Sequence, residues 1–336
     1  MTVLSYPARV QLGHFPTPIE RLERLSRHLN GPEIYIKRDD QTGLGTGGNK
    51  TRKLEFVLAE AVAQGCHHMV TLGGPQSNHC RQTAAAAAKL GLACSVVLRG
   101  SPPPMPLGNL LLDHLFGAQI HWSRKQTREE VADELVTGLR GLGVKTYLVP
   151  LGASTPLGAL GYVLALQETL AQLKEKGIEI DTIVLASSSA GTQAGLVAGA
   201  ALLKFPGTIL GISIDATAED LGSRVRNLAA GACTLLGRPA GSAEVPLRVE
   251  VNADYLGAGY SIVGDLERNA IRTLARSEGI LLDPVYTGRA FGGLLDLIAR
   301  GEFKRNQKIL FWHTGGAAAM SAFAEDFKWL PQSETL

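Results

Sequence analysis

Short apolar runs rich in β-branched residues alternate with longer segments of helical spacing along most of this chain, and that alternation limits the fold more than any other feature. The strand-like runs fall at 69–72, 94–98, 146–149, 182–185, 209–214, 280–282 and 309–312. A run that is apolar throughout belongs to a strand covered on both faces, the usual state of a parallel sheet. The helical segments fall at 54–64, 79–90, 127–142, 160–174, 192–203, 219–236 and 265–277, with 54–64 reading as amphipathic. Strand, turn and helix in repetition predict an α/β fold. The expected form is two open, mostly parallel twisted sheets with flanking helices and right-handed crossovers. At 336 residues the chain is long enough for two lobes.

Several function classes are disfavoured by composition. A net charge of +2 gives no basis for binding nucleic acid or an anionic membrane. No apolar run approaches the about 20 residues that span a bilayer. The first residues lack the basic-then-apolar plan of a signal peptide. Cys66, Cys80, Cys94 and Cys233 form no Cys-x-x-Cys pair, which suits reduced, mostly buried thiols in a cytoplasmic protein. No histidine or cysteine cluster suggests a metal site. The segment 101–106, with four prolines, reads as a rigid surface loop.

Turns that follow a strand and open a helix are the places to look for a site, because ligands of open α/β sheets bind at the carboxyl ends of strands. Three stand out, at 73–78, 187–192 and 314–316. A further glycine-rich run, 43–48, leads through Asn49 into Lys50 at the start of a helical stretch. A lysine there can be a solvated loop residue, a phosphate ligand or an amine poised to form a Schiff base with pyridoxal phosphate. A nucleotide P-loop would need Gly-Lys-Ser/Thr in succession, and Asn49 interrupts it. The Schiff-base reading needs a phosphate cradle elsewhere. Ser187 to Thr192 can supply one, with hydroxyls, a glycine and backbone amides at a helix start. Ser77 reads as a helix N-cap, and Ser77, Asn78 and His79 together can also receive a carboxylate. Tyr260 and Tyr286 read either as packing aromatics or as acid/base phenols, with Pro284 and Gly288 placing Tyr286 in a non-helical turn after a strand.

Taken in order, Ile36-Lys37-Arg38-Asp39-Asp40, Gly47-Gly48-Asn49-Lys50-Thr51-Arg52-Lys53-Leu54-Glu55, Gln76-Ser77-Asn78-His79, Ser189-Ala190-Gly191-Thr192, Asp283-Pro284-Val285-Tyr286-Thr287-Gly288 and His313-Thr314-Gly315-Gly316 resemble one family. It is that of the D-cysteine desulfhydrases and 1-aminocyclopropane-1-carboxylate (ACC) deaminases. The likeness runs from about Pro16 to about Phe323. It implies the tryptophan-synthase-β-like architecture, fold type II of pyridoxal-phosphate enzymes, with residues 50–160 as a small domain and 1–49 plus 161–336 as a large cofactor-binding domain. It also implies a homodimer acting on a small amino acid.

The resemblance implies these roles. Lys50 is the lysine that carries the cofactor. Lys53 and the loop Ser188, Ser189, Ala190, Gly191 and Thr192 hold its phosphate, and Asn78 holds its phenolic oxygen. Gln76, Ser77, Asn78 and His79 receive the substrate, and Ser77, Tyr260 and Tyr286 join Lys50 in catalysis. Thr287 and Thr314 approach the cofactor. Relatives often have glycine at the position of Ser188, which is tolerable if its φ stays negative. Pro75 is also unusual there, since an apolar or β-branched residue is more common before Gln76. ACC deaminases carry Glu and Leu where this chain has Thr287 and Thr314, and Gln at His79. Hydroxyls there suit β-elimination, so D-cysteine desulfhydration is expected. L-cysteate sulfo-lyase activity is the alternative, followed by ACC deamination or non-catalytic cofactor binding.

Overall fold

All but one of the apolar runs pair into two sheets. The structure, a computed structural model, describes residues 4–239 and 245–327. Among the described residues the strands are β1 (Ile19–Arg21), β2 (Glu33–Arg38), β3 (His68–Gly73), β4 (Ala93–Leu98), β5 (Gln119–Trp122), β6 (Thr146–Val149), β7 (Thr182–Ser187), β8 (Thr208–Ser213), β9 (Glu250–Asn252) and β10 (Lys308–His313). The α-helices are α1 (Glu23–Leu29), α2 (Lys50–Ala63), α3 (Asn78–Lys89), α4 (Gly108–Leu115), α5 (Arg128–Gly141), α6 (Pro156–Glu175), α7 (Gly191–Leu203), α8 (Ala218–Leu235), α9 (Asp265–Glu278) and α10 (Thr287–Ala299). One sheet runs β1-β2-β10-β7-β8-β9 and the other β5-β4-β3-β6. Every pairing is parallel except β1 with β2.

Strand β10 shows why the runs are apolar throughout. Leu310 and Trp312 pack on one face with residues of α6, α7 and α8, while Ile309 and Phe311 pack on the other with residues of α9 and α10. Side chains alternate along a strand, so burial on both faces demands an unbroken apolar run.

Three expectations are corrected. Segment 280–282 is not a strand. Its neighbour β10 already has β2 and β7 on its two edges, and the Leu281 carbonyl bonds instead to the His313 ring, 3.0 Å away. Gly288 lies inside α10, because Asp283 caps that helix and lets it begin at Thr287; Tyr286 is therefore at a helix N-cap and not at a strand end. Segment 54–64, expected to be amphipathic, is buried on all sides as far as Leu58, and only beyond it does α2 alternate exposed residues with the buried Ala61. Beyond these corrections, β2 was not among the expected strands; it lies between β1 and β10 in the sheet although it carries Lys37 and Arg38.

A charge cluster makes that last arrangement possible. Arg52, in the first turn of α2, contacts Asp39 at 2.8 Å and Glu168 of α6 at 2.9 Å. Lys37 contacts Glu168 at 2.6 Å. Asp39 also accepts from the Tyr162 hydroxyl at 2.6 Å and the Trp312 indole at 2.8 Å. Burial alone would raise the Asp39 carboxyl, but Arg52, Lys37 and Tyr162 outweigh it and hold it at about 2. Asp39→Ala removes the centre of this cluster and leaves Arg52 short of a partner. It is expected to cost about 3–5 kcal/mol, read as a lower urea midpoint. An unchanged midpoint would show that the cluster does not hold α2 in place.

Candidate active site

A cavity of about 890 Å³ opens between the two sheets. Its walls come from the carboxyl ends of β3, β4 and β6 in one sheet and β7, β8 and β10 in the other, where parallel sheets place their ligands. Lys50, Gln76, Ser77, Asn78, His79, Ser188, Ser189, Ala190, Thr192, Tyr260, Tyr286 and Thr314 all line it. Lys53, Gly191 and Thr287 stand behind the wall.

The loop before Lys50 is built for close approach. Gly47 and Gly48 have φ 75 and 131. A Cβ on Gly47 would lie 1.8 Å from the Asp40 carbonyl, and one on Gly48 would lie 2.1 Å from the Gln82 amide. No side chain fits at either. Gln82 of α3 then fixes the helix start by accepting from the Thr51 amide at 2.8 Å. Lys50 Nζ donates to Asn49 Oδ1 at 3.0 Å, and Asn49 Nδ2 donates to Thr192 Oγ1 of α7 at 3.0 Å. Burial lowers the Lys50 amine to about 8; Asp283 opposes this shift and Arg81 adds to it.

Lys53 has no carboxylate partner among the described residues. Its Nζ donates to Ser154 Oγ at 3.2 Å, and Ser154 donates to Ser189 Oγ at 2.9 Å and accepts from the Gly191 amide at 3.3 Å. Burial, followed by the nearby Lys50, pushes the Lys53 ammonium well below its ordinary range. A Cβ on Gly191 would meet Ser154 Oγ at 2.7 Å and Lys53 Nζ at 3.0 Å. The positive φ of this turn falls on Ala190, at 69, and not on Ser188. Ser188 donates to Asp215 at 2.8 Å. A buried cation short of an anion, set against the N-terminus of α7, is what a phosphate dianion requires.

At the start of α3, Ser77 accepts from the Cys80 amide at 3.2 Å, the expected N-cap. Asn109 Nδ2 occupies Asn78 Oδ1 at 2.8 Å, which leaves the Asn78 NH2 for a ligand. Gln76 borders the cavity, but its side chain is held by α4: its oxygen accepts from the Asn109 amide at 2.9 Å and its nitrogen donates to the Leu107 carbonyl at 3.0 Å. The Tyr260 and Tyr286 hydroxyls lie 2.5 Å apart, and burial raises both phenols, Tyr286 the further. Both stay protonated at neutral pH. Thr287 is fully buried, and its Oγ1 accepts from the Asp283 amide at 2.8 Å.

Four residues of the site were not anticipated: Asn49, Ser154, Asp215 and Asp283. Asn49 was within the motif that pointed to Lys50, and Asp283 opened the motif that pointed to Tyr286. Ser154 and Asp215 lie in turns after β6 and β8 that carry no local signal. Burial raises Asp283 to about 6 against the pull of three backbone amides and the Thr287 hydroxyl. The lowered Lys50 amine makes a direct expectation. In cofactor-free protein, its labelling by an amine-reactive reagent rises with pH through a midpoint near 8. A midpoint at the ordinary lysine value near 10.4 would contradict the burial seen here.

Comparison with known proteins bears on this arrangement. The family described as "Pyridoxal-phosphate dependent enzyme" matches residues 10–315. D-cysteine desulfhydrase of Klebsiella pneumoniae is 43% identical over 323 residues, covering 94% of this chain and 96% of that one. A putative ACC deaminase of Pyrococcus abyssi is 41% identical over 332 residues, covering 96% of each. A crystal structure of an ACC deaminase homologue superposes with a TM-score of 0.87 at 39% identity, covering 95% of each chain. O-ureido-L-serine synthase, at 17% identity and a TM-score of 0.67, shares the fold. It covers 96% of this chain and 95% of that one.

Proposed function

Because this chain belongs to the pyridoxal-phosphate-dependent enzymes, in the branch of D-cysteine desulfhydrases and ACC deaminases, we propose that it releases sulfide, pyruvate and ammonia from D-cysteine. Lyase chemistry with this cofactor is the branch's common ground. Bound pyridoxal phosphate supplies an aldehyde that reacts with amines and a ring that takes up negative charge.

The unpaired Lys53 ammonium, the Ser188 to Thr192 turn and the N-terminus of α7 fit its phosphate. The Asn78 NH2 fits its phenolic oxygen. Lys50 is proposed to carry it and, displaced by the substrate amine, to remove the α-proton; its lowered pKa keeps part of the amine neutral near pH 7. The amides at the start of α3, with Ser77, are assigned to the substrate carboxylate. Tyr260 and Tyr286, both protonated, orient the reacting group or give it a proton. Thr314 faces the cavity, and Thr287 acts one step back, through Asp283.

The observation that carries β-elimination is the pair Thr287 and Thr314. Neither hydroxyl can hold a ring nitrogen protonated as a carboxylate would, and this suits a reaction whose carbanion is relieved at once by a leaving group. Two candidate partners for a sulfonate, Arg289 and His79, do not serve it. Arg289 is spent on Glu267 at 2.6 Å and on the carbonyls of Ile214, Leu256 and Ile262. His79 is held neutral by burial and by Lys50 and Lys53. Arg99, on the cavity wall, keeps L-cysteate in the test. By branch resemblance alone, the working unit is proposed to be a cytoplasmic homodimer, with 50–160 as its smaller domain.

Ammonia, 2-oxo acid (pyruvate, or 2-oxobutyrate from ACC), sulfide and sulfite release should be measured on D-cysteine, L-cysteine, L-cysteate, ACC and D-serine. D-cysteine is expected to be the best substrate, and Lys50→Ala to lower kcat about 10²–10⁴-fold. Faster product formation from ACC or L-cysteate would overturn the assignment.

A further inference from the structure

Thr71, in β3, makes two hydrogen bonds through one hydroxyl. Its Oγ1 lies 2.9 Å from the Val149 carbonyl and 2.7 Å from His79 Nε2. A carbonyl only accepts, so the single hydroxyl hydrogen goes to Val149, and the Thr71 oxygen is left to accept from His79. The ring proton of His79 therefore sits on Nε2, and Nδ1 is a bare lone pair.

Nδ1 has no hydrogen-bond partner among the described residues, although His79 is only 3% exposed and lines the cavity. Buried acceptors are normally satisfied, so an orphan in a residue that lines a binding cavity calls for a donor from a ligand seated against that residue. A second proton on the ring is disfavoured by burial first and then by the two nearby lysines. The imidazole is thus an acceptor that does not become a cation.

We propose that His79 Nδ1 accepts a hydrogen bond from the substrate thiol, and that Thr71 is the positioning residue that fixes the tautomer. This rests on the D-cysteine reading above. Nδ1 receives the S–H without taking its proton. When the Cβ–S bond breaks, both electrons go to sulfur, the proton stays on it, and the group leaves as hydrosulfide. No separate acid is needed for the leaving group. A chloride gains nothing from Nδ1, and a sulfonate sets its oxygens against a lone pair.

The alternative is that His79 merely ties α3 to the sheet, in which case its loss lowers turnover of every substrate alike. The experiment separates the two by selectivity, comparing kcat/KM for D-cysteine with that for β-chloro-D-alanine in the holoenzyme. Thr71→Val and His79→Gln are expected to lower this ratio about tenfold, the weight of one hydrogen bond. Thr71→Ser should retain it, and His79→Asn should keep more of it than His79→Gln, because an Asn oxygen reaches the place of Nδ1. Histidine 15N spectra of the wild-type holoenzyme should show a bare Nδ1 and a protonated Nε2 for His79. A protonated Nδ1, or a ratio unchanged while both rates fall together, would overturn the proposal. A wild-type enzyme with the bare-Nδ1 tautomer that released no sulfide from D-cysteine would overturn the substrate reading, and this inference with it.

Discussion

Everything in the site depends on how the first turn of α2 accommodates buried cations. Lys50, Arg52 and Lys53 occupy one turn inside the protein, where an unpaired charge is costly. Arg52 is satisfied twice, by Asp39 and Glu168. Lys53 has a single neutral hydroxyl, and Lys50 an amide oxygen. The paired cation anchors the helix to β2's end and to α6. The other two are left with lowered proton affinity beside a cavity. A site short of negative charge binds an anion, and an amine whose proton is easily lost acts as nucleophile and base.

Topology puts those two lysines where they are needed. Parallel strands end on one side of each sheet, and the two sheets turn those sides toward a common cavity. The turns after β3 and β7 each open a helix there, so two N-terminal ends face the same space, one next to Lys53 and one bearing Ser77 to His79. Asn49 bridges Lys50 to Thr192, coupling the helix that carries the amine to the turn suited to phosphate. Cavity, charge and helix ends therefore come from elements far apart in the chain.

Much of this was legible beforehand because it rests on local patterns. Strands buried on both faces need unbroken apolar runs, which is why β3, β4, β7, β8 and β10 were readable. The turns at 73–78, 187–192 and 314–316 all proved to line the cavity. What was not legible depends on tertiary pairing. Strand β2 was obscured by Lys37, whose charge is answered by Glu168, 131 residues away. Segment 280–282 looks like a strand by composition but finds both edges of β10 taken. The start of α10 follows from the Asp283 carboxylate, whose capping role is invisible until the chain folds. The tautomer of His79 follows from a threonine and a carbonyl that only the sheet brings together.

The central claim is that the unpaired cations of α2 divide the work, Lys50 bonding the cofactor and Lys53 facing its phosphate. Borohydride reduction of the holoprotein, followed by peptide mass spectrometry, tests it directly. The reduced pyridoxyl group should be found on Lys50, with Lys53 unmodified. Modification of Lys53, or of any lysine other than Lys50, would contradict the account.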